Sequence, residues 1–272
     1  MKKLSLSLFI TICISIVVPH KLYAVDVSAG AATWFAWINQ NYTSNLYQSS
    51  KTKNNPTLFF GPALSLRLNE ELNVTFVYLY GKFSVTEDIS NDRKLGYKLK
   101  RNDADLLLNY RLNDYFKAFV GLKYITLASK RSFSTGVDGA IYEIEHSGAG
   151  PGVGLSCAYP ITPDIFFLAN LSVFYLRSRE FAGYFQGTTA AQPPINTKSN
   201  DYGINFNPAL AYYIAKASTT VSLGGRFQHI KTSFSTKGDP VAHGSYYNHD
   251  SSTFYGVTLT ATYSFTIPVS QL

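Results

Sequence analysis

Tyr255-Gly256-Val257-Thr258-Leu259-Thr260-Ala261-Thr262-Tyr263-Ser264-Phe265 alternates without a break. Tyr255, Val257, Leu259, Ala261, Tyr263 and Phe265 form one set, and Gly256, Thr258, Thr260, Thr262 and Ser264 form the other. A period of two with this composition is the signature of a strand that is apolar on one face and polar on the other. The stretch Leu72-Asn73-Val74-Thr75-Phe76-Val77-Tyr78-Leu79-Tyr80 repeats the device, with Leu72, Val74, Phe76, Tyr78 and Tyr80 on one face.

The same test applied outward predicts strands near 25–38, 57–68, 72–84, 102–112, 115–127, 144–160, 164–177, 202–214, 218–231 and 253–266. The connections alternate in length. Asn69-Glu70-Glu71, Asn113-Asp114, Ile161-Thr162-Pro163 and Ala215-Lys216-Ala217 are short, whereas 39–56, 85–101, 128–143, 178–201 and 232–252 are long and polar. Short-long alternation over an even number of strands is what an up-and-down antiparallel transmembrane barrel produces, with tight periplasmic turns and long outer loops.

Composition agrees. Of 272 residues 46% are hydrophobic and 15% aromatic, yet only 15% are charged, against roughly 25% in soluble domains. Mean hydropathy is close to zero, which excludes a bundle of membrane helices, and the aromatic content excludes disorder. Met1-Lys2-Lys3, the apolar run Leu4 to Val18 and a cut after Ala24 read as a signal peptide, residues 1–24, ahead of a single barrel domain, 25–272. Losing Lys2, Lys3 and Lys21 lowers the formal charge from +7 by three, to +4, too little to argue for nucleic acid. Cys157 is the only cysteine after residue 24, so no internal disulfide is expected.

Over its mature length the chain resembles Gram-negative outer-membrane β-barrel proteins, and Gly256 to Phe265 resembles their C-terminal assembly signal, followed here by Thr266 to Leu272. The resemblance implies outer-membrane localisation, contact with lipid and lipopolysaccharide, delivery by the outer-membrane assembly machinery and a monomeric, porin-like barrel. It names no subfamily.

If the apolar sets face lipid, the other sets line the lumen. Leu106, Leu108, Tyr110 and Leu112 then point out while Asp103, Asp105, Asn109 and Arg111 point in; Lys117, Lys123, Arg67 and Arg226 also fall on inward sets. Asp103, Asp105, Arg111, Lys117, Lys123, Arg67 and Arg226 are therefore expected to form a lumen charge network, in which mutual pairing limits the cost of desolvation. A barrel of about ten strands has little free bore, which favours an ion-paired plug over a conduit. Cys157 falls on the lipid-facing set.

Enzyme constellations are incomplete. The omptin surface proteases, of similar strand count, resemble an Asp pair facing an Asp-x-His arrangement; Asp103 and Asp105 fit the first half, but no Asp-x-His occurs in this sequence. Lipid A deacylases resemble Arg-x-x-His followed two residues on by Ser; Arg226-Phe227-Gln228-His229 matches the first part, but position 231 is Lys, leaving no nucleophile for the histidine. Glu143, Glu145 and His146 lack tight metal-ligand spacing. The expectation is a non-enzymatic barrel without cofactor or metal, a narrow solute channel or a structural surface barrel, with an adhesin or an omptin-like or lipid A-modifying hydrolase as alternatives. Basic residues gather in the long connections, and Arg93, Lys94, Lys98, Lys100 and Arg101 are the expected rim for lipopolysaccharide phosphates.

Overall fold

A computed structural model describes residues 24–44, 52–90, 93–133, 140–186, 189–190, 195–234 and 247–268. The expected signal peptide lies outside these residues, apart from Ala24. The strands are β1 (Ala24–Ser44), β2 (Thr52–Asn54), β3 (Thr57–Arg67), β4 (Leu72–Ser90), β5 (Arg93–Arg111), β6 (Phe116–Phe133), β7 (Ala140–Pro160), β8 (Ile165–Gln186), β9 (Thr189–Ala190), β10 (Ile195–Ile214), β11 (Thr219–Phe234) and β12 (Tyr247–Pro268). Ten of them pair with their neighbours in one antiparallel circuit, β10-β11-β12-β1-β3-β4-β5-β6-β7-β8 and back to β10. Pairing of β1 with β12, from Ala24↔Pro268 to Thr43↔His249, joins the ends of the chain. The short β2 and β9 only extend hairpins, β2 against β4 and β9 against β8. Closure leaves no edge, so backbone groups within the lipid layer meet partners.

The four short turns are where the sequence placed them. Asn69 Oδ1 accepts from the backbone N–H groups of Glu71 and Leu72 at 2.8 and 2.7 Å. Asn113 Oδ1 does the same for Tyr115 and Phe116, both at 2.9 Å, and Thr162 Oγ1 accepts from Ile165 N at 3.1 Å. Such side chains mimic a backbone turn. The fourth turn is a 3-10 turn, Ala215–Ala217, followed by Ser218 in the left-handed region at φ 46°.

The long connections differ from expectation. Most of 85–101, 128–143 and 178–201, and the described ends of 39–56 and 232–252, continue as strand: β4 and β5 pair out to Ser90↔Arg93, and β6 and β7 to Phe133↔Ala140. Beyond the lipid both faces of the wall meet polar surroundings, so the apolar alternation ends while the hydrogen-bond ladder continues.

The outer surface carries two aromatic levels. Phe116 and Tyr124 on β6, Phe167 and Tyr175 on β8, and Tyr263 and Tyr255 on β12 stand eight residues apart, about 26 Å along a strand. Tilted by roughly 40°, that separation corresponds to an apolar band about 20 Å tall, near the height of a transmembrane barrel's belt. Val120, Leu122, Val153, Leu155, Leu171, Val173, Val257 and Leu259 lie between the levels and are exposed. Cys157 is on this outward set, half-buried.

Inside, ten strands at 4.8 Å spacing and about 40° tilt enclose a bore about 20 Å across between backbones, which large side chains span. Glycines make room for them. A Cβ on Gly81 would stand 2.7 Å from the Phe59 ring, and one on Gly154 would stand 2.4 Å from Phe119.

Candidate functional site

The lumen is crossed by four aromatic rings in a circuit. Trp34 (β1) lies 5.3 Å from Phe59 (β3), Phe59 lies 5.1 Å from Phe83 (β4), Phe83 lies 6.1 Å from Phe254 (β12), and Phe254 lies 6.2 Å from Trp34. All four are fully buried. They project from four consecutive strands of the ring, β12, β1, β3 and β4.

Charges from β5, β6 and β11 meet this quartet. Arg101, Asp103 and Asp105 alternate inward on β5. Arg101 Nη2 donates to Asp103 Oδ2 at 2.7 Å and to Gln228 Oε1. Lys123 Nζ donates to Asp103 Oδ1 at 2.7 Å and to Asp105 Oδ1 at 2.8 Å, and Arg226 Nη2 donates to Asp103 Oδ2 at 3.1 Å. Both guanidinium groups also lie on aromatic faces: Arg101 is 3.7 Å from the Phe254 centroid, and Arg226 is 4.6 Å from that of Trp34. Ring faces are negative, so they take up cation surface that the two carboxylates leave uncovered. Asp103, 1% exposed, thereby accepts from three cations. A carboxylate so surrounded anchors a network.

Four sequence-derived assignments need correction. Arg111, Lys117 and Arg67 have the expected inward parity but the wrong depth. Arg111 is six residues beyond Asp105 toward the short turns, about 20 Å along the strand, and it pairs with Asp114 at the turn. Lys117 stands opposite Arg111 in the β5–β6 register and has no ion-pair partner among the described residues. Arg67 is half-exposed at the same mouth, 3.7 Å from Asp26. Arg101, expected at the outer rim, is instead fully buried in the network. It shares the parity of Asp103 and Asp105, so the inward face claims it. Asp103, Asp105, Lys123 and Arg226 come together in the lumen.

The rim residues Lys98 and Lys100 point outward, exposed, on the wall of β5 rather than in a loop. Arg93 and Lys94 belong to the same strand, and their side chains lie outside the described residues.

A second inward cluster escaped the sequence reading. His146 Nε2 is 2.8 Å from Asp201 Oδ2, Ser178 Oγ donates to the same oxygen at 2.5 Å, and His146 Nδ1 is 3.8 Å from Glu180 Oε2. Three strands, β7, β8 and β10, supply these groups, so no local motif announces them. Gly148 is essential to the packing, since a Cβ there would stand 2.1 Å from Ser178 Oγ and 3.2 Å from Asp201 Oδ2. Ser178 gives its proton to Asp201, not to the imidazole, so the histidine is not placed as a base for that hydroxyl.

On the short-turn side of the quartet lies a cavity of about 310 Å³. Asn109, Asn170, Asn205, Asn207, Ser172 and Thr258 contribute to its wall, and Asp105 and Arg226 form its inner limit.

No family model and no curated protein matches the sequence. Solved structures do match. The outer membrane protease OmpT from Escherichia coli is similar with a TM-score of 0.50 at 13% identity, over 90% of this chain and 97% of that one. The translocator domain of autotransporter NalP from Neisseria meningitidis gives 0.45 at 9% identity, over 93% and 94% of the two chains. The outer membrane protein OprG from Pseudomonas aeruginosa gives 0.38 at 14% identity, over 90% and 97%. The likeness to OmpT concerns the fold: this chain has the fold of a Gram-negative outer-membrane β-barrel.

Proposed function

We propose that this protein is a closed, non-enzymatic structural barrel of the bacterial surface, one that spans the outer membrane without conducting solutes. The observation that carries the reading is the layer across the lumen: Trp34, Phe59, Phe83 and Phe254 are fully buried, and Arg101 and Asp103 fill the space beside them. Side chains supply the closure, as expected when a bore is only about 20 Å between backbones. Export by residues 1–24, recognition of the Gly256–Phe265 strand by the assembly machinery and a monomeric state belong to the same reading. The absence of an enzymatic role is supported by the engagement of the candidate groups: Asp103 and Asp105 are held by cations, and Asp201 is held by Ser178 and His146.

The cavity on the short-turn side is the observation that favours a narrow channel instead, since it brings open space, lined by Asn, Ser and Thr among apolar side chains, to the foot of the layer. Planar-bilayer recording of the refolded chain separates the two. The closed reading expects a silent membrane after verified insertion; reproducible open steps would replace it with the channel.

A further inference from the structure

A square of donors stands on the outward face where β8 and β10 leave the upper aromatic level. Arg177 and Arg179 alternate outward on β8. Across the ladder Asn200 is the register partner of Arg177, and Lys198 is the partner of Arg179. Arg177, Arg179 and Lys198 are exposed and line a concavity of about 360 Å³ whose floor includes Ser178 and Ser199. None of the three cations has an ion-pair partner among the described residues. Glu180 and Asp201, next in sequence to Arg179 and Asn200, belong to the inward His146 cluster, and Glu145 on β7 stands two positions from Ser147, the partner of Arg179. On the other side Lys231 of β11 stands opposite Tyr202 and adds a further positive charge.

Like charges directly opposite each other on one sheet face are destabilising. Arg179 against Lys198 breaks that rule as Lys82 against Lys100 does on β4 and β5; what sets the square apart is the second guanidinium alongside, Arg177, and the amide of Asn200 opposite it. Just below, Tyr175 and Tyr202 pack with centroids 5.3 Å apart, and Tyr175 Oη donates to Asn200 Oδ1 at 2.7 Å. That bond fixes the amide with its oxygen engaged, leaving the NH₂ group to donate. A similar pair occurs on β4 and β5, where Tyr78 Oη donates to Asn102 Oδ1 at 2.6 Å, but there Asn102 Nδ2 is already bonded to Thr126 Oγ1 at 2.6 Å. The β8–β10 square thus combines two guanidinium forks, an ammonium and an oriented amide at the height where lipid tails end and headgroups begin.

We propose that Arg177, Arg179, Lys198 and Asn200 bind the phosphate of a phosphorylated glycolipid of the outer leaflet. Planar forks match phosphate oxygens in pairs, the ammonium adds charge, and the tyrosine pair beneath meets the upper part of the acyl chains. The site rests on the outer-membrane seat of the barrel, but it is distinct from Lys98 and Lys100 on β5.

The test uses the full chain refolded into phosphatidylcholine bilayers doped with bis-phosphorylated lipid A, with retained lipid counted by native mass spectrometry after detergent extraction. Wild type should retain lipid A, whereas R177Q/R179Q/K198Q should lose it about tenfold or more. K216Q, on the short turn at the other end of the barrel, should keep it, and dephosphorylated lipid A should be retained poorly by every chain. Because the substituted residues are exposed, heat-modifiable gel migration should show the triple variant folded. Equal retention by the folded triple variant and wild type overturns the site. Equal retention of dephosphorylated lipid overturns the phosphate as its ligand, and full displacement by millimolar inorganic phosphate shows a free-anion site instead. Wild type that fails to enter the bilayer overturns the membrane reading, and this proposal with it.

Discussion

Asp103 holds together groups that the fold could not otherwise bury. Arg101 is 0% exposed, and with Lys123 and Arg226 it brings three cations to two carboxylates. Removing one side of such a network leaves charge in a medium that cannot solvate it, at a cost of about 3–5 kcal/mol. The double variant Asp103→Asn, Asp105→Asn should therefore lose its folded gel migration at a markedly lower temperature than the parent. Arg111→Gln should stay close to the parent, within about 1 kcal/mol, because its pair with Asp114 is open to solvent. Equal melting of the two variants would show that the inner network is solvated. At this scale parity was legible in the sequence and depth was not. The alternation Arg101-x-Asp103-x-Asp105 already placed Arg101 inward, a signal obscured by its neighbours Lys98 and Lys100. Arg111 and Lys117 satisfied the same parity yet sit a strand-half away. The His146–Asp201 contact left no trace in the sequence, since it depends on the registers of β7, β8 and β10 together.

A strand of this barrel has two environments along its length. Between the aromatic levels alternation is enforced by lipid on one side and by packed side chains on the other; beyond the upper level only the ladder persists. Hence the lipid-spanning portions and all four short turns could be read from periodicity, three of the turns also from their Asn or Thr residues. The extensions, such as β4 from Val85 to Ser90 and β5 from Arg93 to Arg101, could not. The same division predicts how a strand tolerates charge. Val120 lies on the outward face midway between Phe116 and Tyr124, so Val120→Arg places a guanidinium near the centre of the apolar band and should cost about 2–4 kcal/mol. Ser84, outward and two positions past Lys82 on β4, lies beyond the band, and Ser84→Arg should cost about 0–1 kcal/mol. Urea titration of the refolded chains in lipid vesicles measures both, and similar midpoints for the two would remove the band from the place given to it here.

At the scale of the molecule, the wall and the closure are separable. The wall is a backbone ladder closed through β1 and β12, while the closure is made of side chains from β1, β3, β4 and β12 against those of β5, β6 and β11. Enlarging the lumen should then open a path without opening the ring. Trp34→Ser with Phe254→Ser deletes two of the four rings and the surfaces on which Arg226 and Arg101 rest. In a soluble core such losses run to about 3–5 kcal/mol each. Here the freed space joins the cavity on the short-turn side, where Asn170, Asn205 and Asn207 can hold water, which limits the penalty for polar groups that lose their cover. The variant should migrate as a folded barrel on unheated gels yet give reproducible steps in a planar bilayer where the parent is silent. Its selectivity follows from what remains at the narrowest point: Arg101, Lys123 and Arg226 against Asp103 and Asp105. With three cations to two anions the open form should pass chloride in preference to potassium, a preference that weakens as salt screens the charges. A folded variant that stays silent would put the barrier farther out, at Phe83, Val85, Tyr97 and Leu99, and a pore favouring cations would show that the two carboxylates, not the guanidinium groups, face the path.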